Sequence, residues 1–144
     1  MKINYHQAIR AIEASAERAR DLNVQVSLAV VDRLGYLIAF ARLDKNNEQI
    51  DLAVKKAKIA AVFDEVDDRL ELMAVHAGNR GYVVRDFRQR VQDIAGTALI
   101  RDEQGSIIGI LAASGADPEQ ESEIAEAGAD IFLFNQRGDD RSNS

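Results

Sequence analysis

Cysteine is absent from this chain of 144 residues. That absence removes disulfides, Cys-ligated zinc, iron–sulfur clusters, thiol nucleophiles and haem attached through a Cys-x-x-Cys-His motif. Histidine is scarce, with only His6 and His76 present. Two such distant residues do not make a zinc triad without carboxylates that the spacing fails to identify, so no metal site is expected. Long apolar runs are missing too. No stretch reaches the roughly 18 residues a membrane-spanning helix needs, and the opening MKINYHQAIRAIEAS lacks the apolar core of a signal peptide. Positive charge is in deficit, at a formal net charge of −6. Broad binding to a phosphate backbone needs a basic field, so nucleic acid is not an expected partner. No Ser-His-Asp or paired-carboxylate arrangement can be read from the spacing. The expectation is a cytoplasmic protein that binds neither membrane nor nucleic acid.

What is present is organised around the stretch from Val24 to Asp44, VQVSLAVVDRLGYLIAFARLD. It reads as two strands joined by the turn Asp32-Arg33-Leu34-Gly35, with Asp first to cap backbone N–H groups and Gly fourth. Its strands are rich in β-branched and aromatic residues and are apolar on both faces, so both faces need cover. A second hairpin is expected from Gly96 to Ala113, with the turn Asp102-Glu103-Gln104-Gly105 repeating the same signature. Gly109 inside its last strand marks a bulge or a close backbone approach.

Helical spacing fills the gaps. Asn4 is an N-cap with Gln7 at the capping-box position, followed by Ile9, Ile12, Ala16 and Ala19. Asn46 opens a second helix with Gln49 three residues on, and Ile50, Ala53, Val54, Ala57, Ala60 and Ala61 form its apolar stripe. Lys55, Lys56 and Lys58 read as its solvated face. A short helix is expected from about Asp67 to His76. Asp117, Pro118 and Gln120 start a last helix, ending near Ala127-Gly128 with Gly as C′ residue. Beyond it, Ile131-Phe132-Leu133-Phe134 must dock on the core. The order α-β-β-α-(α)-β-β-α predicts an α+β fold with a mainly antiparallel sheet. Residues 1–135 are expected to form one domain and 136–144 a polar, frayed tail. These helices cover one face of the sheet well and the other only partly, which points to self-association.

Taken together, Val30-Val31-Asp32-x-x-Gly35, Ala39-Phe40-Ala41-Arg42-Leu43-Asp44, the Lys/Ala-rich helix, Ile100-Arg101-Asp102-x-x-Gly105-x-Ile107-Ile108-Gly109 and Ser114-Gly115-x-x-x-x-x-Gln120-Glu121 resemble the HbpS/GlcG family. That family includes haem-binding HbpS-like proteins, the glycolate-utilisation protein GlcG and the C-terminal domain of PduO-type corrinoid adenosyltransferases. The resemblance spans about Tyr5 to Ile131. It implies a profilin-like sandwich, homo-oligomers, and a small-molecule pocket for haem or a corrinoid-related ligand. The chain departs from the family in one place. A Gly-Gly-Gly-x-Pro run normally precedes the third strand, where this chain has Asp93-Ile94-Ala95-Gly96-Thr97 and keeps only Gly96.

The candidate site residues cluster near that departure. A haem needs an axial donor, for which His6, His76, Met73 and Tyr82 are the candidates, and His76 is the better placed, at a helix end beside a glycine loop. Arg80, Arg85 and Arg88, with His76 and Asn79, form a group able to hold a carboxylate or phosphate through forked hydrogen bonds. Arg42 lies inside an apolar strand and must pair with Asp44 or a ligand. Gly96 and Thr97 complete the ligand-binding set. Three readings stay open: a homo-oligomeric accessory protein that binds haem or another small molecule; an enzyme on a small anionic metabolite, with His76 as catalytic acid/base and Arg80 or Arg85 as anion clamp; and a scaffold without ligand.

Overall fold

The computed structural model describes residues 2–43, 45, 50–63 and 94–133. Helix α1 (Tyr5–Asp21) starts where expected. The Gln7 N–H donates to the Asn4 side chain at 2.8 Å, and the Asn4 N–H donates to the Gln7 side chain at 2.9 Å. Two N–H groups left over at the helix start are thereby satisfied. One face, Ala8, Ala11, Ile12, Ser15 and Ala19, is buried.

Strands β1 (Ser27–Asp32) and β2 (Leu37–Arg42) form the first hairpin. Asp32 Oδ1 accepts from the N–H groups of Leu34 at 2.9 Å and Tyr36 at 3.0 Å. Strands β3 (Thr97–Arg101) and β4 (Ile107–Ser114) form the second. There Asp102 Oδ1 accepts from Gln104 and Ser106, each at 2.9 Å. In both turns the glycine N–H donates to the aspartate carbonyl at 3.0 Å. The same four residues are wired the same way twice, because one carboxylate oxygen satisfies two amides that the turn would otherwise leave unpaired.

The strands assemble as β2-β1-β4-β3, every neighbouring pair antiparallel. The two hairpins thus lie side by side, with β1 and β4 central. Alternation assigns the two faces. Leu28, Val30, Leu111 and Ala113 pack with α1 and with α3 (Pro118–Ala129). Ala29, Val31, Ile110 and Ala112 pack on the other side with Ala53, Ala57, Ala60 and Ala61. Those alanines belong to the helical residues 50–63, here α2. Alanine on both sides of that contact brings α2 close to the sheet. The result is an α+β fold with helices on both faces of an antiparallel sheet. Opposite Gly109 the β3–β4 register slips, between Ile100 and Arg101.

The last helix corrects one expectation. It does not stop at Gly128 but runs on to Ala129, with Asp130 as C-cap. Gly128 is buried against α1, where a Cβ would overlap Ser15 Oγ and the Ala11 carbonyl and stand 2.7 Å from Leu111 Cδ1. Its role is close helix crossing, secured by Ser15 Oγ donating to the Ile124 carbonyl at 2.6 Å. Beyond α3, Ile131 and Phe132 dock on the same core, and the Arg10 guanidinium lies 5.7 Å from the Phe132 ring centre. The helix expected near 67–76 and the tail 136–144 lie outside the described residues. Among the described residues no helix is long and apolar enough to cross a membrane.

Candidate functional site

The site takes shape where β3 begins. Gly96 has a φ of +80° and its backbone is held on both sides. Its N–H donates to Ser122 Oγ at 3.1 Å and its carbonyl accepts from Ala113 N–H at 2.7 Å. Behind it lies Lys56 of α2. Lys56 Nζ donates to the Ala113 carbonyl at 2.5 Å and to Glu121 Oε1 at 3.2 Å. Glu121 Oε2 accepts in turn from the N–H groups of Gly115 at 2.8 Å and Ala116 at 3.4 Å. The two side chains are only 12% and 11% exposed. Burial pulls the Lys56 amine below the ordinary lysine pKa, and Glu121 opposes that shift. This clamp joins α2, the end of β4, the start of β3 and the first turns of α3. It fills the space a side chain at residue 96 would take, since a Cβ there would stand 2.6 Å from Lys56 Nζ and 2.9 Å from Glu121 Cβ.

In front of the clamp a groove of about 300 Å³ runs along β3, the edge strand of the described sheet. Ala60, Leu99 and Ile110 supply apolar surface, and Ser122 and Glu126 of α3 with its C-cap Asp130 a polar lip; Thr97 and Ala98 come from the strand itself. Thr97 Oγ1 donates to the Ile94 carbonyl at 2.8 Å.

Of the residues singled out from the sequence, Gly96 and Thr97 are brought together here. Arg42 is not. It ends the opposite edge strand, at the register position facing Ser27, three strand spacings or roughly 14 Å from β3. Ser27 Oγ beside it is buried and has no hydrogen-bond partner among the described residues. His76, Asn79, Arg80, Arg85 and Arg88 lie outside the described residues, as do Met73 and Tyr82. His6 is exposed in the first turn of α1, its ring edge-on to Tyr5 at 5.7 Å. Among the described residues no His, Met or Tyr lines the groove, so none there offers haem an axial bond. Nor do three or more His, Cys, Asp or Glu side chains of the described residues gather into a group able to hold a metal.

The sequence reading missed Lys56, Glu121 and Ser122. Lys56 was assigned to a solvated face, and Lys55 and Lys58 are indeed exposed. A signal separating them was available: Lys56 is three residues after Ala53 and four before Ala60, within the stripe of small residues that meets the sheet.

The chain matches, over residues 3–130, the family described as haem-degrading protein, HbpS-like. Among solved structures it is similar to Klebsiella pneumoniae protein ORFY, with a TM-score of 0.67, 25% identity and 92% of each chain covered. It is similar to PduOC, solved as a haem complex, with a TM-score of 0.62, 26% identity, and 90% of this chain and 94% of that one covered. A double mutant of HbpS from Streptomyces reticuli shares the fold at 22% identity, with a TM-score of 0.64 and coverage of 92% and 88%. No curated protein matches the chain significantly.

Proposed function

Because the chain belongs to the HbpS-like family, we propose that it is a cytoplasmic, homo-oligomeric accessory protein of profilin-like fold that binds a small molecule, with haem or a corrinoid-related compound as the ligand. The observation that carries this reading is the likeness, across nearly the whole domain, to PduOC, solved with haem bound. The β3 edge supports it. Gly96 and Thr97 stand where the family's glycine-rich run would be, and here Thr97 borders a groove with an apolar side and a polar lip. His76, Arg80, Asn79, Arg85 and Arg88 are the further residues assigned to the ligand, and Arg42 is assigned to a ligand or an ion pair at the far edge. Haem would supply its own iron and ring chemistry; the chain's part is to hold it.

Haem titration followed by absorbance tests this. A Soret shift is expected for the wild type, lost or altered in His6→Ala or His76→Ala. No shift in the wild type, or an unchanged one in both variants, overturns the haem assignment. A Soret band that forms and then decays separates breakdown of the ligand from holding it. Native mass spectrometry reads copy number and any retained ligand, and a lone monomer removes the homo-oligomer.

A further inference from the structure

The groove along β3 has a charge pattern that none of the foregoing uses. Ser122, Glu126 and Asp130 follow one another at four-residue steps, so they form one stripe of α3 facing the cavity. Among the described residues neither Glu126 nor Asp130 has an ion pair or a side-chain hydrogen bond. Both sit at the C-terminal end of α3, where the helix presents its negative pole, and the last turn holds no basic residue. Like charges four residues apart add to that repulsion. Lys56, one helical turn before Ala60, is held by Glu121 and the Ala113 carbonyl; Lys58 and Arg101, each two residues from a lining residue, are exposed and do not line the groove. The opposite side, formed by Ala60, Leu99 and Ile110, carries no charge. At about 300 Å³ the cavity is at the small end of ligand sites.

We propose that this groove takes a ring-sized apolar ligand with a positively charged, hydrogen-bond-donating end. The charged end meets Glu126 and Asp130, and the apolar body lies over Leu99, Ile110 and Ala60. A ligand bearing carboxylates must keep them clear of this end of α3. The proposal rests on the small-molecule reading of the β3 edge but not on haem as the ligand.

The test uses the full chain and two probes of similar shape and opposite charge, phenethylammonium and 3-phenylpropionate. Calorimetry and methyl NMR follow their binding. Phenethylammonium is expected to bind, shift the Leu99 and Ile110 methyl signals, and weaken with added salt. Phenylpropionate is expected not to bind. Glu126→Gln with Asp130→Asn, both at exposed positions, should weaken the cation about fivefold, the sum of two exposed charge contacts. Equal binding of the two probes, no binding of phenethylammonium, or an unchanged affinity in the double variant each overturns the proposal. Haem titration of the same samples keeps the two readings apart. Haem binding without cation binding ends this one alone, and cation binding without a Soret shift ends the haem assignment alone.

Discussion

Gly96→Ala is the substitution that tests the clamp most directly. Two penalties add. Residue 96 holds φ at +80°, a conformation that costs an L-residue about 1–2 kcal/mol. The new Cβ would also overlap the Ala113 carbonyl and approach Lys56 Nζ to 2.6 Å. Lys56, the flexible partner, yields and gives up a hydrogen bond from a charged donor worth about 1.5–3 kcal/mol, and the overlap with the Ala113 carbonyl, which belongs to a central strand, makes that a minimum. The sum is at least about 2.5–5 kcal/mol, a large part of the roughly 5–15 kcal/mol that stabilises a domain. Gly105→Ala isolates the first penalty, because Gly105 has a φ of +83° but nothing within 4 Å of its Cβ position. Urea denaturation followed by circular dichroism reads both. With a slope near 2 kcal/mol per molar, Gly96→Ala should lower the midpoint by about 1–2.5 M and Gly105→Ala by about 0.5–1 M. Equal shifts in the two variants would refute the clamp, since only the contact with Lys56 and Ala113 distinguishes them.

The ion pair makes an asymmetric prediction. Glu121→Ala leaves Lys56 buried with only the Ala113 carbonyl and should cost about 3–5 kcal/mol. Lys56→Met costs less, because Glu121 keeps the N–H groups of Gly115 and Ala116; the reverse order in denaturant melts would contradict the geometry. In pH, the lowered Lys56 pKa means the unfolded chain binds more protons in the alkaline window below the ordinary lysine value. Wild-type stability should therefore gain with rising pH across that window relative to Lys56→Met, and level off above it. Gly128→Ala should push α1 from α3 and cost about 1–3 kcal/mol by overpacking, read as a lowered melting temperature; an unchanged one would mean the helices do not cross so closely.

Local chemistry explains what was legible beforehand. Both Asp-x-x-Gly turns, the Asn4–Gln7 box and the alternation of β1 and β4 are set by residues within a few positions of one another. Their spacing is therefore visible in the chain, as is the need to cover both faces of an apolar hairpin. The HbpS-like likeness was legible for the same reason, since its motifs are those turns and strands.

The site is different. Lys56, Gly96, Ala113, Glu121 and Ser122 come from three elements and the turn before β3, and no local period ties them. Gly128 looked like a helix terminator because glycine often is one, yet contact with Ser15 and Ala11 over a hundred positions away decides its role. Sequence by itself determined the turns, caps and two-faced strands, because hydrogen bonding and side-chain periodicity act between near neighbours. Only the tertiary structure decided which lysine is buried, which glycine is crowded and which helix end lines the groove, because burial and close contact belong to pairs the chain order does not name.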